Sequence, residues 1–450
     1  MNSHRRAQRT QRNSEAPLCS LCPAVANSLH TPENRHSEKA MKILWVKTGK
    51  LVPVDTGGKI RSYNILRRLA GRHEVTFLSY YGGRRDEAYE REICEHLPGT
   101  KVIYTATRDA TTLERNLLYL RRLPLRAPFG VTKFLSREAQ RLLSRWLNEG
   151  RFDVAVCDFL GSTLNFPWKS ATPVALFQHN VESILWRRHA EHEANPIKRI
   201  TFKLEAAKML RYERAAVARF DHVIAVSEHD RERMKAMTDQ ARISVVPTGV
   251  DLRQYQAATG ESATEPVVMF LGSMDWEANV DGVTYFCREI WPRVKSAAPE
   301  ARFRIVGRNP DPRVKQLASD DIEVTGRVES VTDHLRQTAV FVVPLRIGGG
   351  TRLKIYEAMA MRKAVVSTTI GAEGLDVTHD RDILLADDPQ SFADSVIEML
   401  RDHPRRMILE AAAGEKAARY DWSVVTDRFE ESLAQTIRDA RIAQLIHNGS

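Results

Sequence analysis

The sequence predicts an α/β protein with two successive doubly wound parallel sheets. The chain has 450 residues, which is too many for one ordinary core. From Met41 onward, short apolar runs alternate with segments of helical period. A polar stretch, YQAATGESATEP at 255–266, interrupts the alternation, which then restarts. We therefore predict domains at 41–258 and 259–420, followed by a helix at 421–450 that is able to return to the first domain.

The first domain is predicted from seven strand-like runs with helical stretches between most of them. Each run is short and apolar, as expected for a strand that is buried in a parallel sheet. After the first run, a loop leads to IRSYNILRRLAGR, whose apolar residues recur with helical period. The predicted strands are KILWVKT, HEVTFLSYY, KVIYTA (101–106), DVAVCDF (153–159), PVALFQH (173–179), HVIAVS (222–227) and ISVVP (243–247).

The second domain repeats this pattern after the polar linker. Alternation of strands and helices favours crossover connections, and hence a second parallel sheet. The predicted strands are PVVMFLGS, ARFRIVG, IEVTG, VFVVPL and AVVST. The predicted helices lie at 280–297, 312–318, 330–337 and 351–361, and a final helical block begins at about residue 389.

Composition narrows the class of protein. Apolar residues make up 43% of the chain and charged residues 28%, as in soluble globular proteins. There is no apolar run of about 18 residues, and the five cysteines are scattered. We therefore expect a cytoplasmic protein, with peripheral attachment to the inner face of the plasma membrane as a further option. Residues 1–40 are polar and aperiodic, which predicts a disordered leader; a signal peptide is the alternative.

Charge is distributed unevenly between the two predicted domains. Residues 41–260 contain 37 basic and 24 acidic side chains, whereas residues 261–450 contain 24 and 30. This asymmetry suggests that the first domain meets an anionic partner. The basic segments 115–151 and 187–219 fit an anionic lipid surface or a lipid-phosphate acceptor, or else are solvated basic helices. We predict no nucleic-acid binding, since the chain has no aromatic platform or recognition motif.

The stretch GGGTRLKIYEAMA (348–360) places two cations where a helix is predicted to begin. Thr351 is the predicted N-cap. Cations are unfavourable at a helix N-terminus, so Arg352 and Lys354 are explained best by a bound anion. A diphosphate at this turn would be neutralised by both cations, and Glu357, one turn further on, would reach a ribose diol. The alternative is a flexible surface loop before an ordinary helix, with Lys354 and Glu357 as a solvated pair.

A second glycine-rich turn follows the first predicted strand. The stretch DTGGK (55–59) leads into a helix that bears Arg61. Gly57 and Gly58 would let backbone N–H groups approach a phosphate or a sugar from the opposite side of a cleft. The spacing matches neither GxxxxGK[ST] nor GxGxxG, and Gly-Gly before a helix is often only a turn.

The sequence resembles glycosyltransferase family 4. These are retaining enzymes of the GT-B arrangement, in which two Rossmann-like domains face each other across a cleft. The resemblance covers essentially residues 41–440. It rests on eight motifs in the order found in the family: DTGGKIRSYNILRRLAGRHEVTFLS, FQHNVES (177–183), VIAVSEHDRERM (223–234), VVPTGVD (245–251), FLGSMDWEANVDGVTYF (270–286), RIVGRNP (304–310), VTGRVES (324–330) and PLRIGGGTRLKIYEAMAMRKAVVSTTIGAEGL (344–375).

The resemblance implies a donor site that is shared between the domains. In the first domain, Gly57 and Gly58 would face the phosphates and sugar of the donor. His179 would contact the transferring sugar and help to stabilise positive charge near its ring. The alternative for His179, which follows an apolar strand, is a satisfied core or loop histidine.

In the second domain, the resemblance implies contacts to every part of the donor nucleotide. Gly272 would open the donor loop, Arg327 and Val328 would border the nucleobase, and Glu357 would accept the ribose hydroxyls. N–H groups near Thr351–Lys354 would hold the diphosphate. The predicted donor-binding set is completed by the glycine turn and the residues after it: Gly349, Gly350, Thr351 and Leu353.

Three positions depart from the common pattern of the family. Gly349 stands where many members have a glutamate that touches the donor sugar. Ser273 and Asn279 stand where many members have an arginine and a lysine that grip the diphosphate. We hypothesise that Arg352 and Lys354 take over this neutralisation. Two neighbours stay outside the predicted site: Trp276 and Arg308 either border the cleft or belong to ordinary loops.

The predicted function is sugar transfer from a nucleotide diphosphate donor to a hydroxyl of a saccharide or lipid-linked acceptor. Retention of anomeric configuration, and a role in envelope or extracellular polysaccharide or glycolipid synthesis, are implied by the resemblance. No DxD pair stands at a suitable metal position, so we predict metal-independent activity and no cofactor. The alternatives are a catalytically silent nucleotide-sugar sensor or scaffold, and a nucleotide-sugar epimerase with the same two-domain plan.

Overall fold

A computed structural model describes residues 40–105, 119, 121, 126–193, 195–239, 242–256, 265–347 and 352–448. The predicted leader therefore lies almost entirely outside the described residues, as does the glycine turn at 348–351. In the described parts, two parallel sheets are covered by helices on both faces. No helix in these parts combines the length and the apolar composition needed to span a bilayer.

Thirteen strands are present in the described residues. Twelve of them coincide with the predicted apolar runs, and the two-residue strand β13 is an addition that the sequence did not signal. They are β1 (Lys42–Thr48), β2 (Glu74–Tyr81), β3 (Lys101–Tyr104), β4 (Val154–Asp158), β5 (Val174–Phe177), β6 (His222–Ala225), β7 (Ile243–Val245), β8 (Val267–Leu271), β9 (Arg302–Val306), β10 (Ile322–Gly326), β11 (Val340–Val343), β12 (Ala364–Ser367) and β13 (Leu384–Leu385).

The helices of the first domain lie in the crossovers between its strands. A 3-10 helix also follows β4 at Leu160–Asn165. The α-helices are α1 (Gly57–Ala70), α2 (Glu87–His96), α3 (Phe129–Thr132), α4 (Arg137–Asn148), α5 (Glu182–His192), α6 (Pro196–Arg219) and α7 (Glu228–Lys235).

The second domain and the C-terminal segment supply the other helices. A π-helical turn at Phe286–Ile290 divides what the sequence predicted as one helix at 280–297. The α-helices are α8 (Glu277–Tyr285), α9 (Trp291–Ala297), α10 (Pro312–Lys315), α11 (Val331–Arg336), α12 (Leu353–Ala360), α13 (Pro389–Arg401), α14 (His403–Ala418) and α15 (Trp422–Asn448).

Both sheets have a doubly wound strand order. The first runs β3-β2-β1-β4-β5-β6-β7 and the second runs β10-β9-β8-β11-β12-β13, with every pair parallel. Strands such as β4 and β11 are buried at every residue because helices cover both faces. The order reverses between β1 and β4 in one sheet and between β8 and β11 in the other. These reversals are the switch points where open α/β sheets bind ligands.

The C-terminal helix α15 packs on the first domain. Its first turn is tied to the chain before the linker, since the Trp422 N–H donates to the Val250 carbonyl at 3.1 Å. Phe429 is fully buried and stacks on Trp45, with the ring centroids 5.3 Å apart. Gly249 permits the close approach, because a Cβ there would lie 2.6 Å from the indole of Trp422. The chain thus crosses from the second domain back to the core of the first.

Replacing Phe429 by Ala should destabilise the first domain by about 3–5 kcal/mol, the usual cost of deleting a large buried ring. The matched control is Leu445→Ala on the same helix, since Leu445 is 73% exposed and should change stability by less than about 0.5 kcal/mol. Chemical denaturation followed by circular dichroism measures both effects. Equal stability of the two variants would show that α15 does not contribute to the core.

Candidate active site

The carboxyl ends of the two sheets face each other across a cleft. A cavity of about 700 Å³ lies between the domains and is lined by both of them. The first domain contributes the DTGGK turn after β1 and the ends of β4 and β5, including His179. The second domain contributes the loop after β8, including Ser273 and Trp276, and also Arg308. The cavity therefore lies at the switch point of the first sheet and next to β8, which borders the switch point of the second.

A buried carboxylate organises the first-domain wall. Asp158 ends β4 and is fully buried. Its Oδ2 accepts hydrogen bonds from Trp45 Nε1 and from Lys47 Nζ, each at 3.0 Å. Burial alone would raise the pKa of Asp158, but the Lys47 cation and the His179 imidazole hold it well below its ordinary value. Asp158 is therefore an anion that fixes groups from β1 and from the segment after β5, on either side of β4.

His179 is held as a neutral imidazole of one tautomer. Its Nε2 lies 2.6 Å from Asp158 Oδ1 and so carries the proton, while Nδ1 accepts from an Arg61 N–H at 3.1 Å. Burial lowers the pKa of His179 to about 4, and Lys47 and Arg61 add to this effect while Asp158 opposes it. The ring lines the cleft with both nitrogens engaged. A direct hydrogen bond from His179 to a sugar thus requires Arg61 or Asp158 to give up its contact.

Among the described residues, no side chain caps α1, whose first turn lines the cleft, or α12, which begins beside Gly272. Among the described helices of eight or more residues, α1 and α12 are the two with neither a side-chain cap nor an acidic residue in the first turn. Gly57 and Gly58 form the first turn of α1, and a Cβ at Gly58 would lie 3.8 Å from His179 Nδ1. N–H groups at the positive end of a helix are suited to bind an anion.

Lys354 lies beside the donor loop of the second domain. Its ammonium group donates to Asn279 Oδ1 at 3.0 Å and lies 4.2 Å from the ring centre of Phe270. A Cβ at Gly272 would come within 2.8 Å of the same ammonium. Burial lowers the pKa of Lys354 to about 7, with Arg352 adding to the effect and Glu357 opposing it. Because its surroundings disfavour the charged form of Lys354, a bound anion would stabilise that form strongly.

Glu357 lies one turn beyond Lys354, next to the interdomain linker. The side chain of Tyr255, the first residue of the polar stretch 255–266, interacts with its carboxylate. Burial raises the pKa of Glu357, and Tyr255 and Lys354 oppose the rise. Tyr255 is itself buried and packs in the second-domain core. The linker residue thus orients the carboxylate that the sequence assigned to the ribose.

Arg352 and Leu353 are placed differently from Lys354. Helix α12 begins at Leu353 with Arg352 in the N-cap position, whereas Thr351 was the predicted cap and, with Gly349 and Gly350, lies outside the described residues. Arg352 is buried and donates to the Ile370 carbonyl at 3.2 Å. The Leu353 side chain packs in the apolar cluster of the first domain. Only the backbone of Leu353 remains for a ligand.

Arg327 and Val328 directly follow β10, near the outer edge of the second sheet. Arg327 is exposed, whereas Val328 is half-buried and packs against the second-domain core. Gly326, which precedes them, has a φ of 71°, so the chain turns sharply there. The two predicted base-binding residues therefore follow the carboxyl end of β10, at the same edge of the sheet as Gly272, which follows β8.

Ion pairs join the domains at two places around the cleft. On one side, Arg308 donates to Ser273 Oγ at 3.1 Å and lies 3.5 Å from the Asp55 carboxylate of the DTGGK turn. On the other, Arg188 of α5 forms two hydrogen bonds with Glu373, at 2.7 and 2.9 Å. Burial alone would raise the pKa of Glu373, but its arginine partners lower it to about 2.

Sequence reasoning missed several of these residues. Arg308 was left outside the predicted site, and Asp158 and Tyr255 were not considered. A signal was present for the first-domain group, because Lys47 and Asp158 are charged residues at the ends of otherwise apolar strands. Tyr255 carried no such signal, since it lies in a segment that reads as linker. Within the described residues, no three His, Cys, Asp or Glu side chains cluster as metal ligands would.

Two doubly wound domains with their switch points facing across a cleft define the GT-B class of fold, and comparison with known proteins agrees. Residues 56–254 match the family model described as Glycosyltransferase Family 4, and residues 265–402 match Glycosyl transferases group 1. Together the matches cover about three quarters of the chain. The chain belongs to this glycosyltransferase family.

Individual relatives are distant in sequence. A protein from Klebsiella pneumoniae, "Uncharacterized 44.6 kDa protein in cps region", is 24% identical over 79% of this chain and 90% of its own length. Phosphatidyl-myo-inositol mannosyltransferase from Mycolicibacterium smegmatis is 26% identical over 64% of this chain and 72% of its own length. The structure of Anabaena HepE in complex with UDP-glucose has a TM-score of 0.57 and 14% identity, and covers 88% of this chain and 100% of that one.

Replacing Tyr255 by Phe removes the hydroxyl that helps to lower the pKa of Glu357, so this pKa should rise further. If Glu357 accepts ribose hydroxyls as an anion, nucleoside diphosphate affinity should fall as the pH is lowered, and in the variant the fall should begin at higher pH. Toward the acid end of the profile we expect about ten-fold weaker binding by the variant. Calorimetric titration at a series of pH values below about 7, where Lys354 is charged, measures this difference. The matched control is Tyr285→Phe, whose ring lies under Arg346; identical pH profiles for all three proteins would contradict the role of Tyr255.

Proposed function

We propose that this glycosyltransferase moves a sugar from a nucleotide diphosphate donor to a hydroxyl acceptor with retention of anomeric configuration. The observation that carries the proposal is the position of Lys354. Its ammonium meets Asn279 and the open position at Gly272, at the switch point of the second sheet. The ammonium thus lies at the loop where this chain has Ser273 and Asn279 instead of the arginine and lysine of many family members. This position supports the hypothesis that Lys354 replaces one of those cations.

The leaving diphosphate gains negative charge as the anomeric bond breaks. Lys354 and the free N–H groups at the start of α12 would stabilise that charge where it develops. Arg352 contributes through its charge rather than by direct contact, because its side chain turns toward Ile370. The first turn of α1, with Gly57 and Gly58, would complete the phosphate and sugar contacts from the other domain. Glu357 would hold the ribose, and Val328 the base.

His179 would act as a neutral group in this mechanism. Its Nε2–H is bound to Asp158, and its Nδ1 accepts a hydrogen bond from Arg61. A proton added at Nδ1 would replace this hydrogen bond by repulsion between two N–H groups. The imidazole therefore serves neither as an acid nor as a base near neutral pH. It would stabilise developing positive charge at the sugar through the anionic Asp158 behind it. The resemblance suggested this charge-stabilising role, and the network gives a physical reason for it.

We propose activity without a metal ion. The cations of the site and the two helix ends can balance the diphosphate charge, which is the role that Mg²⁺ plays in other phosphate sites. For the acceptor, we propose a saccharide or lipid-linked hydroxyl compound of envelope or extracellular polysaccharide synthesis. The names of the mycobacterial relatives, which include phosphatidyl-myo-inositol, and the basic first domain favour a lipid-linked acceptor and peripheral contact with the membrane.

Thermal-shift titration with UDP, GDP, ADP and TDP in EDTA tests the donor proposal. At about 100 times its dissociation constant, the correct nucleotide should stabilise the protein by about 2.7 kcal/mol. Lys354→Met should weaken that nucleotide by about 10- to 100-fold through loss of a charge-assisted hydrogen bond. The free variant should be more stable than wild type, because a buried group that resists charging is removed. No stabilisation by any of the four nucleotides would contradict the proposed function.

Lys363→Met is the matched control. Lys363 is another lysine of the second domain whose pKa is lowered by burial, but its ammonium donates to the Arg336 carbonyl away from the cleft. This variant should bind the nucleotide as wild type does. If both variants lose binding equally, the loss reflects a damaged fold rather than a lost phosphate contact. Stabilisation that requires added Mg²⁺ would contradict the metal-independent mechanism.

The pH dependence gives a second test of the same group. In the free protein the pKa of Lys354 is lowered to about 7, and a bound diphosphate should raise it. Binding should therefore take up a proton, and affinity should fall as the pH rises above about 7. Calorimetry in buffers of different ionisation enthalpy measures the proton uptake. In Lys354→Met the uptake should disappear; an unchanged uptake would assign it to another group.

A further inference from the structure

A groove in the first domain is separate from the donor cleft. It lies between α5, α6 and the end of α7 and has a volume of about 640 Å³, within the range of small-molecule sites. Its walls are largely apolar. The side chains that line it include Ile184, Ala206, Ala207, Leu210, Ala236 and Met237. Because the alanines leave space along the middle of α6, the groove has room for a chain-like apolar ligand.

The apolar surface continues along α6 beyond the groove. Ile197, Ile200 and Leu204 project from the N-terminal half of the helix and are 75%, 61% and 49% exposed. Isolated exposed apolar residues are normal, but a continuous strip that opens into a groove marks an interaction site. Ile200, Leu204 and Ala207 are spaced by four and three residues, so they form one face of the helix.

Cations accompany this apolar face. Arg187 and Lys203 lie on the rim of the groove, and Lys198 and Arg199 are exposed on the neighbouring turn of α6. The acidic residue on the rim, Glu191, lies 3.7 Å from Arg187 and so offsets part of its charge. The remaining excess is positive. An apolar groove with a cationic rim matches an amphiphile with a hydrocarbon chain and an anionic headgroup.

The groove is connected to the donor cleft through shared wall residues. Ile184 and Arg233 line both the groove and a small cavity next to it, which also contacts Asn180 and His229. Asn180 in turn lines the cleft together with its neighbour His179. A molecule seated in the groove is therefore separated from the first-domain wall of the active site by this one small cavity.

We propose that this groove seats the hydrocarbon chain of a lipid-phosphate acceptor, with the phosphate at Arg187 and Lys203. The inference rests on the proposed function, because it identifies the class of acceptor for the same reaction. The headgroup beyond the phosphate extends past Ile184 toward Asn180, where its hydroxyl meets the donor sugar. The exposed strip of Ile197, Ile200 and Leu204 then lies at the membrane from which the lipid is drawn.

Calorimetric titration with farnesyl phosphate, below its critical micelle concentration, tests the groove. Wild type should bind it, bind farnesol more weakly and not bind inorganic phosphate alone. Ala207→Phe should fill the groove and weaken binding by about ten-fold, the effect of removing roughly two methylene groups from apolar contact. Ala207 is exposed, so the variant should fold. The matched control is Ala215→Phe, an exposed alanine of α6 outside the groove, which should bind as wild type does.

Charge is tested with a second matched pair. Lys203→Glu should weaken farnesyl phosphate binding by about ten-fold through the loss of an attraction and the gain of a repulsion. Arg211→Glu, an exposed change of the same charge on α6 away from the groove, should have much less effect. Equal binding by wild type, Ala207→Phe and Lys203→Glu would overturn the proposal. So would binding to phosphatidylglycerol vesicles without binding to farnesyl phosphate, which would make the strip a membrane contact only.

The same proteins should be titrated with the four nucleoside diphosphates. Nucleotide stabilisation that is unaltered in Ala207→Phe shows an intact donor site, so that lost farnesyl phosphate binding in this variant supports the groove alone. If the wild type binds a nucleotide but not farnesyl phosphate, the proposed lipid site is wrong and the donor proposal is unaffected. Farnesyl phosphate binding that Ala207→Phe weakens, in a protein that no nucleotide stabilises, would support the groove and contradict the donor proposal.

Discussion

The buried carboxylate of Asp158 is the interaction on which the first-domain wall depends. An isolated anion in an apolar core would cost several kcal/mol, so it is tolerated here only because its oxygens are bonded by Trp45, Lys47 and His179. These partners come from β1 and from the segment after β5, which flank β4 on either side. One anion thereby fixes the strand ends at the switch point. It also sets the His179 tautomer, and through it the arrangement of Arg61.

The cleft is a property of the whole chain rather than of either domain. Helix α15 returns to the first domain, Leu353 of α12 enters the first-domain cluster, and ion pairs at Asp55 and Glu373 bridge the two sides. Tyr255 adds a contact from the linker to Glu357. The bridging pairs are only partly buried, so each contributes modestly, and their value lies in alignment of the two walls. Opening and closing of the cleft would have to break and remake these polar contacts, whereas the apolar docking of α15 could persist.

The sequence predicted the fold better than the site. Buried parallel strands read as short apolar runs, so twelve of the described strands were found, and the class of fold is confirmed by comparison with known structures. Only β13 was missed, because two residues give no periodic signal. The π-helical turn after Tyr285 was also missed, since it continues the helical pattern without a breaker. The roles assigned to His179, Lys354 and Glu357 stay predictions, although the structure places all three next to the facing strand ends.

Side-chain direction explains why the site was harder to predict. Arg352 and Lys354 were treated as a pair, but two residues apart on a helix they point in different directions, and only Lys354 reaches the Asn279 loop. Hydrogen bonds of the Asp158 network join residues that lie up to 118 positions apart. Such contacts depend on strand order, which no local pattern encodes. A charged residue at the end of an apolar strand nevertheless indicates that the folded protein supplies a group of opposite charge or a hydrogen-bond partner for it.

Violations of local helix rules mark the cleft more clearly than any single motif. Most long helices of the described chain satisfy their first N–H groups with Ser, Asp or Asn caps, as Ser136 does for α4. Helices α1 and α12 do not, although Thr56 stands in the right position to cap α1. Lys354 adds a cation where the helix end is already positive and where burial lowers its pKa. These costs are separate, yet the anion that we propose as the ligand would relieve all of them. Several unfavourable local features that one ligand would offset are expected at a binding site, and they are improbable as unrelated defects of folding.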